Sequence, residues 1–279
     1  MRDNKKAACV IGWPVDHSRS PLIHNYWIKQ LGVDAEYRRE PVPPGGFAEF
    51  VSRLAERGYV GANVTVPHKE EALKLADPDE RALAVGAANT LWLAGAKLHA
   101  TNTDVEGFLA NLDAAAPGWD RGLATAMVVG AGGAARAVIF ALIERGVERI
   151  HLANRTMDRA IALRAQFGDR VHPISWDEKS ALLADAGLLV NTTTLGMAGH
   201  PPLDVNLARL PASAVVADIV YTPLETALLK AAAERGLRTV DGHGMLLHQA
   251  VGGFERWFGV RPQVTEQLRA VVEADLNGN

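Results

Sequence analysis

The residues able to do chemistry sit where apolar runs of this chain are interrupted by short polar stretches. The first is Gly12-Trp-Pro-Val-Asp-His-Ser-Arg-Ser-Pro21. Ser18 and Ser20 put two hydroxyls beside the positive start of a predicted helix, which would suit a carboxylate. Ser20 alone reads equally as the N-cap of that helix, with Pro21 in its first position. The second stretch is Asn63-Val-Thr-Val-Pro-His-Lys69. Lys69 falls in the first turn of a predicted helix, where a cation opposes the helix dipole. It is either a solvated surface charge or a charge placed beside Thr65 and Asn63 for a purpose. His68 reads as a packing or capping residue. The third stretch is Asn102-Thr-Asp104, and Asp104, before an apolar periodic run, stands where a helix cap would. No HExxH spacing or Cys/His cluster occurs, so no metal site is expected.

A fourth stretch follows an apolar run, Thr125-Ala-Met-Val-Val, which turns at Gly130. Gly130, Gly132 and Ala135 fit the dinucleotide fingerprint of strand, glycine-rich turn and helix. Such a turn lets the backbone approach a pyrophosphate and aims the first helical amides at it. Close packing of a small-residue helix would give the same letters. The strand before it, the helix after it and Gly146 as the helix stop favour a nucleotide site. The next strand ends at Asn154-Arg155-Thr156, with Arg159 one turn on and no acid for a ribose 2′-hydroxyl. Arginine instead suits a 2′-phosphate, although Thr156 could merely cap a helix and both arginines could be solvated.

The elements that must hold these residues alternate. The pattern predicts strands at Ala7–Ile11, Glu36–Val42 and Tyr59–Val66. Between and after them come helices from Ser20 to Gly32, Phe47 to Arg57 and Pro67 to Leu75. A hairpin about Gly95 and a helix from Val105 to Asp113 follow. After a linker at Pro117–Asp120 the alternation resumes, with a helix near Trp176 to Ala184, another from Thr222 to Arg235 and a third opening at Gly242. This predicts an α/β chain of two domains: residues 1–116, with the helices of about 245–279 packing back on it, and a Rossmann-like domain at 117–244. The 279 residues suffice for two domains, and 48% apolar with 22% charged residues is a globular balance. A net charge of −3 argues against a broad grip on nucleic acid. The single cysteine, Cys9, allows no intrachain disulfide and suits a reducing compartment. The apolar run near the start is too short for a signal-peptide core, and none approaches a membrane span. A cytoplasmic protein without nucleic-acid or membrane partners is expected.

Taken together, the motifs resemble those of the shikimate dehydrogenases over almost the full chain. They run in order: Gly12-x-Pro-x-x-His-Ser-x-Ser-Pro21-x-x-His24-Asn25, Asn63-Val-Thr-Val-Pro-x-Lys69, Gly86-Ala-x-Asn89-Thr90, Asn102-Thr-Asp104, Gly130-Ala131-Gly132-Gly133-Ala134, Asn154-Arg155-Thr156, Asp218-x-x-Tyr221-x-Pro223 and Asp241-Gly-x-Gly-Met245-x-x-x-Gln249-Ala250. The resemblance implies NADPH-dependent reduction of 3-dehydroshikimate to shikimate, with Lys69 and Asp104 as the catalytic pair. It implies that Ser18, Ser20 and Tyr221 hold the substrate carboxylate, and that Thr65, Asn89, Asp104 and Gln249 surround the ring hydroxyls. For NADP it implies the glycine turn 130–134, Asn154, Arg155, Thr156, Arg159, Ile219 and Gly242, with Glu80 added on resemblance alone. Thr101 and Val105 depart from the family pattern, standing beside Asn102-Thr-Asp104 where glycine is frequent. The alternatives are an NAD-using quinate/shikimate dehydrogenase, another two-domain dehydrogenase such as a methylenetetrahydrofolate dehydrogenase, and a catalytically silent shikimate-sensing module. The serine pair and Asn102-Thr-Asp104 disfavour the second, and intact Lys69 and Asp104 disfavour the third. A monomer or homodimer is expected.

Overall fold

A computed structural model describes residues 5–278. The chain divides into two compact units, 1–103 with 247–279, and 104–246.

In the first unit β1 (Lys6–Gly12), α1 (Ser20–Leu31), β2 (Ala35–Pro41), α2 (Phe47–Ser52), β3 (Tyr59–Val64) and α3 (Lys69–Leu75) alternate. Then come β4 (Asp77–Pro78), α4 (Glu80–Val85), β5 (Thr90–Ala94) and β6 (Lys97–Thr101). The sheet order is β2-β1-β3-β5-β6-β4. β1 pairs in parallel with β2 and β3, whereas β5 runs antiparallel to β3 and forms the expected hairpin with β6. Gly95 turns that hairpin at φ +63°. Alternate apolar residues close a core of Ile11, Phe47, Phe50, Leu54 and Leu91.

The second unit holds α5 (Asp104–Ala115), β7 (Thr125–Val129), α6 (Gly133–Glu144), β8 (Arg149–Ala153), α7 (Met157–Phe167), β9 (Val171–Ile174), β10 (Leu188–Asn191), β11 (Val215–Asp218), α8 (Ala227–Glu234) and β12 (Arg238–Val240). Its strands are all parallel in the order β12-β11-β10-β7-β8-β9, a doubly wound sheet. The near-continuous apolar runs of β7, β10 and β11 follow from burial on both faces. The helix 104–115, placed in the first domain from sequence, groups with this unit. The division falls inside α9 (Gly242–Phe258), and α10 (Glu266–Asn277) belongs to the first unit. There Trp257 Nε1 donates to Leu91 O at 2.8 Å, and Trp27 Nε1 donates to Gln263 O at 3.0 Å.

Several predicted boundaries move for local reasons. Ser20 is the first residue of α1, with Arg19 at the N-cap position and no side-chain cap. The capping role passes to Ser18, whose Oγ accepts from Ser20 N at 3.3 Å. α3 starts at Lys69 rather than Pro67, because His68 N bonds back to Thr65 O in a turn before the helix. After Ser52 the chain winds into turns, with Leu54 N bonding Val51 O, and ends at Gly58. The helix expected near 176–184 is two 3₁₀ turns. α8 begins only at Ala227, because Thr226 and not Thr222 is its cap, accepting from Leu229 N.

Candidate active site

The strand order reverses between β1 and β3 in the first sheet and between β7 and β10 in the second, and several of the candidate residues lie at those two places. In an open α/β sheet the loops after the two reversing strands separate there and leave a crevice.

In the first unit the reversal lies between β1 and β3. The loop leaving β1 carries Ser18 and Ser20, and the loop leaving β3 carries Thr65 and Lys69. The two loops are stitched together: Thr65 N donates to Ile11 O at 2.9 Å and Trp13 N to Val66 O at 3.0 Å. Gly12 permits this approach, since a Cβ there would lie 2.4 Å from Thr65 Cγ2. His68 is buried and stacks on Phe47 with centroids 4.5 Å apart, and its Nε2 lies 2.8 Å from Val42 O. It is a packing residue that fixes the turn before Lys69. Lys69 is half-buried at the helix start, and its carbonyl accepts from Ala88 N at 2.9 Å, which ties it to the turn before Asn89.

Asn89 belongs to a buried polar cluster. Its Oδ1 accepts from Thr103 N at 2.8 Å and from the hydroxyls of Thr90 and Thr103 at 3.1 Å each. Asn63 Nδ2 donates to Thr90 Oγ1 at 3.1 Å, and Asn102 Nδ2 donates to Ala87 O at 3.0 Å. The Asn102-Thr103 pair therefore pins the chain one residue before Asp104. Asp104 opens α5 as its first helical residue, half-buried. Neither departure from the family pattern strains this backbone, because no residue other than glycine has positive φ among the described residues. Thr101 is a regular strand residue whose carbonyl accepts from Asn89 N, and Val105 is fully buried on α5.

In the second unit the reversal lies between β10 and β7, which places Gly130 beside Thr192 and Thr193. Gly130 has φ +108°, and a Cβ there would come within 2.6 Å of Thr192 Oγ1, so only glycine fits. Gly132 sits at the N-cap of α6 with no side-chain cap, and neither it nor Gly133 meets any atom within 4 Å of an added Cβ. The first-turn amides of α6, including those of Gly133 and Ala134, have no intrahelical acceptor, and the Cα atoms of Gly132 and Gly133 border open space, which fits an anion. Ala131 N donates to Asn154 Oδ1 at 3.2 Å, so the end of β8 braces the turn. Arg155 and Arg159 are exposed, and neither guanidinium is committed to an ion pair among the described residues. Thr156 occupies the N-cap position of α7 without a side-chain cap bond. An anionic cofactor with an additional phosphate on its ribose fits this donor set.

The loop after β11 is anchored by Asp218, a motif residue to which the sequence assigned no role. Asp218 is buried, and its carboxyl accepts from Asn191 Nδ2 at 3.0 Å, Val220 N at 3.0 Å and Thr226 Oγ1 at 2.8 Å. Burial pushes its pKa up to about 6, against the pull of these donors. The anchor orders Ile219 and half-buried Tyr221, and Gly242 packs so closely that a Cβ would lie 2.2 Å from Ile219 O. Of the predicted residues, Ser18, Ser20, Thr65, Lys69, Asn89, Gln249 and Glu80 belong to the first unit. Asp104, Tyr221 and the other cofactor candidates belong to the second. Glu80 is exposed at the start of α4. No cluster of three or more metal-ligating side chains occurs among the described residues.

A doubly wound unit with a glycine turn at its reversal point, following a unit whose reversal point carries serine, threonine and lysine, defines a two-domain α/β nicotinamide-dependent dehydrogenase. Comparison with known proteins narrows the class. Residues 10–91 match the shikimate dehydrogenase substrate binding domain, 119–197 the shikimate / quinate 5-dehydrogenase model, and 242–273 the shikimate 5'-dehydrogenase C-terminal domain. The NADP(+) shikimate dehydrogenase of Rhodopseudomonas palustris (strain TIE-1) is 65% identical over 99% of both chains. A shikimate 5-dehydrogenase from Thermus thermophilus, solved with NADP(H) and shikimate, superposes with a TM-score of 0.82 at 33% identity, covering 98% of each chain. A Corynebacterium glutamicum quinate dehydrogenase in complex with NAD gives 0.88 at 31% identity, covering 97% of this chain and 99% of that one. The chain belongs to the shikimate dehydrogenase family.

Proposed function

We propose that this enzyme catalyses the reversible NADPH-dependent reduction of 3-dehydroshikimate to shikimate. The observation that carries the reading is the gathering of Ser18, Ser20, Thr65 and Lys69 on the two stitched loops at the first unit's reversal point. NADPH, when bound, supplies the hydride. Ser18 and Ser20, with Tyr221, hold the substrate carboxylate; Thr65, Asn89, Asp104 and Gln249 orient the ring hydroxyls. As hydride reaches the carbonyl carbon, negative charge develops on its oxygen. Lys69 stabilises that charge and donates the proton that completes the alcohol. Asp104 orients the reacting hydroxyl and the ammonium group. On the cofactor, the amides of α6 hold the pyrophosphate, with Gly130, Ala131, Gly132, Gly133 and Ala134 giving the close approach. Asn154 braces the turn, and Arg155, Thr156 and Arg159 hold the 2′-phosphate. Ile219 and Gly242 line the cofactor, and Glu80 joins them by resemblance alone.

NADP rather than NAD is favoured by the end of β8, where Asn154 replaces the acid that a ribose 2′-hydroxyl would need. A cytoplasmic location suits the lone buried cysteine, which a reducing compartment keeps as a thiol, and a monomer or homodimer is the expected state. The test is the change in nicotinamide absorbance with shikimate or quinate, each paired with NADP+ or NAD+. Turnover is expected to be fastest with shikimate and NADP+. Preference for quinate and NAD+ would reassign the enzyme, and a folded protein inert in all four assays would make it a sensing module.

A further inference from the structure

Tyr37, on β2, is neither a motif residue nor a substrate candidate, yet the serine motif is built around it. Asn25, the last residue of that motif, brackets its backbone: Asn25 Nδ2 donates to Tyr37 O at 2.9 Å, and Tyr37 N donates to Asn25 Oδ1 at 3.0 Å. His24, one residue earlier, stacks on the phenol ring with centroids 4.2 Å apart and planes 15° apart. The buried hydroxyl donates to Asn63 Oδ1 at 2.7 Å. An amide oxygen can only accept, so the phenol hydrogen is committed to Asn63. Burial keeps the phenol protonated, its pKa well above the ordinary tyrosine value. Held in this way, Asn63 turns its NH2 toward Asn89 O and Thr90 Oγ1, at 3.3 and 3.1 Å, and so joins the cluster that pins Thr103.

We propose that Tyr37 is a positioning residue for the substrate, acting through Asn63. The proposal rests on the reading of Asn89 as a substrate contact. With Asn63 Oδ1 taken by the phenol hydrogen, the amide of Asn63 faces one way and its NH2 supports Asn89 O and Thr90 Oγ1. Tyr37 thus fixes the strand ends from which Asn89 meets the substrate.

The experiment is steady-state kinetics of Tyr37→Phe in the full chain, with shikimate and NADP+ varied in turn. Losing the hydroxyl strands the buried Asn63 oxygen, and the expected result is a rise of about tenfold in KM for shikimate. KM for NADP+ and kcat should change by less than about threefold, a split that general loosening of the fold would not give. Tyr59→Phe is the control: it removes another phenol hydroxyl, bonded to Glu40 on the same sheet, and should leave all three parameters near parental. Combined with Asn63→Ala, the two losses should be less than multiplicative. An unchanged shikimate KM, an equal rise in both KM values, or fully multiplicative losses would overturn the proposal. Should Tyr37→Phe not fold, 3-fluorotyrosine at position 37 keeps ring and hydroxyl and makes the phenol a stronger donor to Asn63 Oδ1. It should then keep KM for shikimate at or below the parental value, and a KM that rises overturns the proposal equally. If Asn89→Ala by itself leaves KM for shikimate unchanged, the assignment of Asn89 to the substrate has failed instead.

Discussion

At the scale of single residues, the proposed chemistry asks most of Lys69 and Asp104. Proton donation by a placed side chain is worth about 10²–10⁴-fold. Lys69→Ala should therefore lose about that factor in kcat, with a much smaller loss in substrate affinity. Asp104→Asn keeps the shape and removes the charge, so it should impair both binding and rate. If the two act as one unit, the double variant is little worse than the poorer single one, and steady-state kinetics of all three variants checks this. Near-parental turnover in Lys69→Ala would end the mechanism. Arg155 supports a second prediction at this scale. Exposed and committed to no ion pair among the described residues, its guanidinium matches phosphate oxygens with two donors at once. Arg155→Asp should weaken NADP+ at least tenfold and leave NAD+ nearly unchanged. A variant that prefers NADP+ as strongly as its parent would pass the role to Arg159.

At the scale of elements, two buried titratable groups give the units opposite responses to pH. Asp218, beneath the loop after β11, has its pKa raised to about 6 by burial. A carboxyl so raised contributes stability that is present below the unfolded value of 3.8 and is lost as pH rises through about 6. At about 1.4 kcal/mol per unit, the window from pH 4 to 6 is worth about 2–3 kcal/mol. His24, stacked between Tyr37 and Phe254 on α1, is driven by burial to about 3, against the pull of the neighbouring Asn63. An imidazole so lowered must stay neutral in the fold, so its contribution is intact above pH 6.5 and is lost as pH falls toward 3. Asp218→Asn should flatten the decline between pH 4 and 6, and His24→Phe should reduce acid sensitivity below pH 6.5. Urea unfolding of each variant and the parent at pH 4.5, 5.5 and 7 measures both slopes. Parallel curves for parent and variant would show that the group does not titrate differently in the fold.

At the scale of the whole molecule, the two units should respond to different ligands. A ligand that binds only the folded form stabilises it by about 2.7 kcal/mol at a hundred times its dissociation constant. NADP+ is expected to slow amide exchange chiefly at Gly130–Ala137 and Asn154–Arg159, and shikimate chiefly at Trp13–Ser20 and Thr65–Lys69. Hydrogen exchange read peptide by peptide checks the assignment. Protection by shikimate confined to the second unit would contradict the reading of Ser18 and Ser20.

Much of this protein is legible in its letters, because the relevant physics is local. Period and punctuation set out the alternating strands and helices, Gly32 and Gly95 stop and turn where a positive φ is needed, and the order of the motifs points to the family. Capping proved less legible. Ser20 looks like a cap by residue type and Thr222 like a helix start, but Ser18 and Thr226 accept the bonds, because a cap is decided by which hydroxyl reaches a free amide. The anchoring role of Asp218 and the relay through Tyr37 could not be read either. Each joins residues far apart in the chain: Asn191 with Thr226 around one carboxyl, and Asn25 with Asn63 around one tyrosine. In sequence Tyr37 is only an apolar position of a strand. The grouping of α5 with the second unit was equally hidden, since the Asn111 amide that bonds Asp241 O at 2.6 Å lies on a helix with no local sign of its partner. Sequence by itself determined the elements, their order and the motifs, since propensity, turn chemistry and periodicity act within a few residues. Only the tertiary structure decided which polar groups share a proton and which charges are buried, since those depend on strands paired across the sheet and on water excluded by the finished core.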